Sequence, residues 1–419
     1  MSQAVTLAVI GAGARGNTYA TYAKKFPEQL KIVAVADPNN LRRSRMAHEY
    51  NIPPEFCFKG YEEFCKHPKM CDAVAICTQD NLHEAPAIAC AKLKYHILLE
   101  KPMAPTPEAC KRIADAVKEA GVMMSVCHVL RYTRFTAILK DILKSGEIGE
   151  IVSLQHLEPV GYWHQAHSYV RGNWRNEALS SNMLLAKSCH DIDWIHDIMG
   201  KKCKMIQSFG TLHHFKKSEQ PAGASDRCVS CPREIEAFCP YSAYKIYFRD
   251  RVTKGNTGWP SDVLTADVTP RSLAEALANG PYGRCVYACD NDVVDHQVVN
   301  MSFEDGSSAS MTMTAFTFHG GRKTRIFGTR GEIDTDSEHI IIRKFLDNST
   351  RTVDVNIAND GGILSGHGGG DFGLMKSFIS AVANCDPDQN LSGIDETLAS
   401  HLMVFAAEKS RKSGQVICM

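Results

Sequence analysis

Apolar residues between Val5 and Cys127 fall into short runs separated by stretches of helical spacing. Thr6-Leu7-Ala8-Val9-Ile10, Lys31 to Ala36, Ala73 to Cys77, His96 to Leu99 and Val122 to Cys127 are short and rich in β-formers. Such runs suit strands buried on both faces, and helices between them argue for a covered parallel sheet. Asn17 to Phe26 and Ala85 to Leu93 carry helical patterns. Thr106-Pro107-Glu108 opens another helix, with Thr106 at the cap and Pro107 in the first turn. After Gly149 the pattern changes. Ile151 to Leu157, Met205 to Leu212, Asp295 to Phe303, Ser308 to Phe318, Thr324 to Phe327 and Ile340 to Phe345 read as strands, with a hairpin signal at Glu304-Asp305-Gly306-Ser307. Long strands without helices between them predict a large open, mainly antiparallel sheet. A helix over Ser181 to Met199 would cover one face, and a partner subunit would shield the other. Phe372 to Ala383 and Ile394 to Ser413 are the last helices. Lys216 to Asp292 is polar, contains Cys and Pro, and reads as an insertion at about 216–292. The reading is therefore α/β, with one domain over 1–128 and a second, also α/β, over 129–419.

The first strand runs into Gly11-Ala12-Gly13-Ala14-Arg15-Gly16, a helix follows, and the next strand ends at Asp37. Strand, G-x-G-x-x-G, helix, strand and acid in this register make a Rossmann dinucleotide-binding unit. Gly11 permits the tight turn, Gly13 lets backbone approach a pyrophosphate, and Gly16 lets the helix pack on the strand. The phosphates would sit at the helix N-terminus, on Gly13, Ala14 and Arg15. Asp37 favours NAD, because a carboxylate accepts from a ribose 2′-OH and repels a 2′-phosphate. Arg42 and Arg43 leave NADP open. Ligands in such folds bind beyond the C-terminal strand ends, which points to Thr78, Asn81 and His83, to Glu100-Lys101-Pro102, and to His128 through Tyr132.

Composition changes this picture little. The 419 residues, 44% hydrophobic and 22% charged, are ordinary for a globular chain of two domains. Lys+Arg and Asp+Glu both number 47, which gives no basic surface for nucleic acid. Neither a leader-type N-terminus nor a membrane-length apolar run is visible, so a cytoplasmic location is expected. Sixteen cysteines in such a chain are not a disulfide scaffold. Cys228-x2-Cys231 and Cys239, with Cys285 or Cys289 as a fourth ligand, suit a structural zinc in the insertion; packed free thiols are the alternative.

At Glu100-Lys101-Pro102 the chain resembles the glucose–fructose oxidoreductase / inositol dehydrogenase / MocA (Gfo/Idh/MocA) family. The resemblance also rests on Gly11 to Gly16, Asp37, Thr78 with Asn81 and His83, Arg131-Tyr132, Gly146-Glu147-Ile148-Gly149, and His190 with Asp193. It implies a Rossmann domain, a C-terminal α/β domain whose open sheet forms the oligomer contact, and hydride transfer between NAD(P) and a sugar, polyol or ring alcohol. Lys101 is then the catalytic lysine, with a cis bond to Pro102. Many members carry an Asp four residues before the catalytic histidine. Here that position is Ala186, so the acid is missing or comes from elsewhere.

Removing hydride from a carbinol carbon requires its hydroxyl proton to leave. Lys101, at a strand's C-terminal end, suits the role of holding that oxygen, and His190 suits that of accepting the proton. Lys187 shares a helix face with His190 and either orients substrate or holds a structural carboxylate. Tyr162 to Arg175 is dense in aromatics, histidine and arginine. It supplies His164 and Arg171 as substrate candidates, while Trp174 and Arg175 reach the cofactor; the alternative is a packed loop at the domain interface. Gly361-Gly362 and Gly366-His367-Gly368-Gly369-Gly370 read as a mobile loop, with His367 toward substrate. The function expected is an NAD-dependent dehydrogenase acting on a secondary hydroxyl of a sugar, sugar acid or cyclitol, working as a homodimer or homotetramer. NAD-assisted redox-neutral glycoside cleavage and a non-catalytic NAD sensor are the alternatives.

Overall fold

The computed structural model describes residues 4–265, 267–336, 338–355 and 367–419. Six strands, β1 (Val5–Ile10), β2 (Leu30–Ala36), β3 (Cys57–Phe58), β4 (Ala73–Ile76), β5 (His96–Leu99) and β6 (Met124–Val126), form a parallel sheet in the order β3-β2-β1-β4-β5-β6. Pleating sends Leu7, Val9, Ala73 and Leu98 to one apolar layer and Ala8, Ile10, Val74 and Ile76 to the other. Tyr19 and Tyr22 of helix Ala14–Lys25 cover the first layer, joined by Leu374 and Phe378 of helix Gly370–Asn384. Helices Glu84–Lys92 and Pro107–Ala120 cover the second. Thr106 caps the latter by accepting from Ala109 N–H, with Pro107 in its first turn. The strand order switches direction between β1 and β4, the crevice where this architecture binds ligands.

Among the described residues, nine further strands make a mixed, mostly antiparallel sheet. They are β7 (Ile151–Pro159), β8 (Cys203–Thr211), β9 (His296–Phe303), β10 (Ser308–Thr314), β11 (Lys323–Gly328), β12 (Gly331–Thr335), β13 (His339–Lys344), β14 (Thr350–Asp354) and β15 (Ile417–Cys418). Their order is β14-β13-β12-β11-β7-β10-β9-β8-β15, and only β7 and β10 run parallel. β10 stops at Thr314, four residues before the sequence reading ends it, and Phe316 and Phe318 turn outward. β12 and β14 are absent from that reading, being short and half polar. Cross-strand ion pairs from Arg325 and Arg343 to Glu332 and Asp334 support β12 on its exposed side.

Helix Met183–Met199 packs on the inner face of this sheet together with helix Ile394–Ser413. Asn182 caps it by accepting from Leu185 N–H, and Gly200 ends it in the left-handed region. Its buried residues include Ser188, His190, Asp191 and Asp193, polar groups set in an apolar core, of which Asp191 and Asp193 are paired with Arg322 and Arg131. The insertion carries a small aromatic core, in which Tyr241, Tyr247 and Tyr282 pack with Phe215, just before it, against Ala166 and Val170. Among the described residues no helix is long and apolar enough to cross a membrane.

Candidate active site

Gly11 has φ +97°, and a Cβ there would lie 2.6 Å from Cys77 O. A Cβ on Gly16 would meet Gly11 O at 2.1 Å. By contrast, a Cβ on Gly13, the residue preceding helix Ala14–Lys25, would meet nothing within 4 Å. The loop is thus tight where backbone crosses backbone and open where a phosphate would approach. First-turn N–H groups have no partners within the helix, so this open end suits the pyrophosphate of NAD. Asp37 is buried at the end of β2. Its carboxylate accepts from Ala12 N–H at 2.8 Å and Asn39 N–H at 2.7 Å, tying the glycine loop to the acid expected to meet the ribose. A carboxylate offers about four lone-pair sites, so capacity for a ribose hydroxyl is left.

Glu100-Lys101-Pro102 follows β5, and the Lys101–Pro102 bond is cis. His83, fully buried, sets its two ring nitrogens against Pro102 O at 2.8 Å and Thr78 O at 3.2 Å, pinning the turn from below. Glu100 faces Arg15 Nε at 2.6 Å, Tyr19 OH at 2.6 Å and Lys101 N–H at 2.8 Å. Burial would raise its pKa, but Arg15 and Tyr19 hold it below the usual range. Arg15 also reaches Asp371 at 2.6 Å. The side chains of Arg15, His83 and Glu100 are therefore spent on fixing the turn, and Arg15 and Gly16 can serve a cofactor through backbone only. Thr78 donates to Leu82 O, and Asn81 stands exposed at the loop tip.

Lys101 Nζ donates to the backbone of helix Met183–Met199, at Ala186 O, at 2.6 Å. One turn on, His190 is 6% exposed, and its Nδ1 has no hydrogen-bond partner among the described residues. Its ring lies 5.8 Å from that of His128 and 6.0 Å from that of His367. Burial, then the positive charge of Lys101, holds its pKa well below the ordinary histidine value. Lys101, His190 and His367 thus converge, whereas Gly361, Gly362 and Gly366 lie outside the described residues. His367 also pairs with Asp371 at 3.2 Å.

Lys187 pairs with Glu158 at 2.8 Å, so its carboxylate-holding role is the one observed. Arg322 bridges Glu158 at 3.1 Å and Asp191, and Asp191 accepts from His156 at 2.9 Å. This Glu158–Arg322–Asp191 network is absent from the sequence reading. Its signal was present: on β7, Leu154, His156 and Glu158 alternate onto the buried face, a charge in phase with the core. His128, in the stretch from His128 to Tyr132 that the strand-end rule indicates, is buried with neither ring nitrogen hydrogen-bonded among the described residues, and its Nδ1 lies 3.8 Å from Asp193.

The loop after β7 divides. His164 sits among Trp163, Tyr169 and Trp259; burial lowers its pKa well below the usual value, as do the charges of Lys187 and Lys101. Arg171 is not open to a substrate. It is fully buried, with Nε on Arg284 O at 2.7 Å and a terminal nitrogen on Tyr241 O at 2.7 Å, so it fastens the insertion rather than a substrate. Arg175 is also corrected: Asp290 takes its fork at 2.8 and 3.1 Å. Trp174 donates to Asp80 at 3.2 Å, beside Asn81 on the cofactor side. A cavity of about 260 Å³ lies between Arg322, His156, Trp194 and His367, adjoining His190 without being lined by it.

Zinc is not supported. Cys228, Cys231, Cys239 and Cys285 do line one small cavity, but no three such side chains among the described residues are disposed to hold a metal ion. Cys228 Sγ instead accepts from Ala243 N–H and Arg171, both at 3.5 Å, and Cys285 Sγ accepts from Gln220 at 3.6 Å. Burial pushes the Cys239 and Cys285 thiols up, which favours the protonated form.

Comparison with known proteins bears on this geometry directly. Residues 5–128 match the model of an oxidoreductase family's NAD-binding Rossmann fold, and residues 140–419 match that family's C-terminal alpha/beta domain. The chain belongs to the Gfo/Idh/MocA oxidoreductase family. It is accordingly an NAD-binding oxidoreductase. A putative oxidoreductase, YteT, of Bacillus subtilis is 24% identical over 78% of this chain and 76% of its own length. Myo-inositol 2-dehydrogenase of Thermotoga maritima is 26% identical over 49% of this chain and 58% of its own. Among solved structures, levoglucosan dehydrogenase with NADH and L-sorbose superposes with a TM-score of 0.70 at 19% identity, covering 99% of each chain.

Proposed function

We propose that this family member is an NAD-dependent dehydrogenase that moves hydride between nicotinamide and a secondary hydroxyl of a sugar, sugar acid or cyclitol. The observation that carries the reading is the convergence of Lys101 and His190 beside the crevice entered from the glycine loop. NAD, when bound, supplies the hydride acceptor. Lys101 holds the substrate oxygen: its ammonium now rests on a backbone carbonyl, and an alkoxide-like oxygen would be the stronger acceptor. His190, kept neutral by burial, takes the hydroxyl proton. Glu158, through Lys187 and Arg322, stands where a carboxylate partner to this centre can act in place of the acid absent at Ala186. Relatives named myo-inositol 2-dehydrogenase and levoglucosan dehydrogenase support a sugar or cyclitol substrate.

One relative, 27% identical over 49% of this chain, is named 2,7-anhydro-N-acetylneuraminate hydratase, which keeps a redox-neutral cycle as the second reading. Incubation with NAD+ and a panel of sugars, sugar acids and cyclitols separates the two. Net NADH equal to product means dehydrogenase. Product without net NADH means the redox-neutral cycle and overturns the first reading. A sensor would need no such pairing of Lys101 with His190. The outer sheet face, with Val152 and Phe209 exposed, suits burial in a homodimer or homotetramer. Light scattering of the purified protein tests this, and a monomer at micromolar concentration would refute it.

A further inference from the structure

The insertion delivers two unusual side chains to the neighbourhood of His164. Trp259 is 45% exposed, yet its ring lies 5.2 Å from His164, 5.4 Å from Trp163 and 5.4 Å from buried His167. The guanidinium of Arg251 sits over the Trp163 ring at 4.7 Å and donates to Trp259 O at 3.3 Å. Arg251 has no carboxylate partner among the described residues, although most arginines near the site are spent on one. His164 connects this group to the cofactor side, since its ring lies 6.0 Å from that of Tyr169, which lies 6.2 Å from that of Trp174, whose indole donates to Asp80.

A half-exposed tryptophan and an unpaired arginine stacked on a second tryptophan cost side-chain order and exposed apolar surface without stabilising the core. They are the side chains that bind sugar rings and anions: indole faces pack on apolar ring faces, and a guanidinium fork donates to a carboxylate or phosphate. Stacking on Trp163 and the bond to Trp259 O hold the fork in one orientation, which reduces the ordering cost of binding. A lone charge on the insertion would need no such mounting.

We propose that Trp163, Trp259 and Arg251 form a second subsite, beside His164, for a sugar ring that carries an anionic group. The proposal rests on the reading of Lys101 and His190 as the reacting centre and adds to it that the substrate extends to a second, acidic ring. A uronate and a phosphate ester share the required chemistry, and the test separates them.

Full-length protein loaded with NADH is titrated, by tryptophan fluorescence, with cellobiose, with its counterpart bearing glucuronate as the distal ring, and with its counterpart phosphorylated on the distal ring. At least one anionic probe should bind about tenfold more tightly than cellobiose. The tighter of the two identifies the source of the anion. Arg251→Gln should bring both anionic probes to within about twofold of cellobiose while leaving cellobiose binding unchanged. Trp259→Ala should weaken all three. Both side chains are solvent-facing, and an unchanged melting temperature confirms that each variant is folded. Equal binding of the three probes, absence of binding, or an anion preference that survives Arg251→Gln would overturn the subsite. Anion-selective binding without NADH formation from any sugar would keep the subsite and refute the dehydrogenase. Sugar oxidation with no anion preference would do the reverse.

Discussion

His190 is 6% exposed, and its burial and the charges of Lys101 and Arg322 all resist the arrival of a further proton. A base kept neutral in this way is already in its working form at neutral pH. The acid limb of the kcat/KM profile should therefore lie below pH 6.5, and a limb at or above that value would exclude His190 as its source. His190→Ala should lower kcat by about 10²–10⁴-fold with NAD affinity nearly intact. Lys101→Ala should be at least as damaging. The glycine loop gives a second residue-scale test. Gly13→Ala adds a methyl to open space, so the variant should melt like the parent yet bind NAD at least about tenfold more weakly. Gly16→Ala drives a methyl into Gly11 O and should instead lower the melting temperature. Equal NAD affinity of Gly13→Ala and parent would mean that the pyrophosphate does not approach there.

At the scale of elements, buried charge joins the two sheets. Arg131, after β6, sets its fork on Asp193 of helix Met183–Met199 at 2.6 and 2.8 Å, and Ser400 of helix Ile394–Ser413 donates to the same carboxylate. Asp193→Ala would leave Arg131 buried with Asp197 as its remaining acid and should cost about 3–5 kcal/mol in urea denaturation. A loss under 1 kcal/mol would show that the pair is not a joint. The sequence revealed elements whose cause is local. Gly11 to Gly16, Asp37, Thr106-Pro107 and Ile394 to Ser413 carry their turn, cap or periodicity in neighbouring residues. It was silent where the cause is distant. Arg171 and Arg175 have the chemistry of ligand contacts, but Tyr241, Arg284 and Asp290, far along the chain, claim them. Lys187 was ambiguous for the same reason until Glu158 was seen beside it. β12 depends on cross-strand ion pairs that no local pattern announces.

The whole molecule buries several histidines in neutral form. Burial lowers His128 to about 4, and His167 and His401 to about 3, from an ordinary 6.5. Between those values the unfolded chain binds protons that the folded chain refuses, so stability falls as pH drops from 6.5 toward 4. Asp193 and Asp371, both lowered from 3.8 to about 2, add a second loss as pH falls through that lower window. The melting temperature should thus decline in two stages on acidification, and a flat profile between pH 6.5 and 4 would contradict the buried neutral rings. The central claim is that Lys101 and His190 serve hydride transfer from a carbinol carbon to NAD. Its most direct measurement is isotopic: a sugar or cyclitol deuterated at the carbinol position is mixed with NAD+ and the protein, and the nicotinamide is examined for label. Deuterium at the nicotinamide ring, lost in Lys101→Ala, is the predicted result. Product formation with the label still on its original carbon throughout would contradict the account.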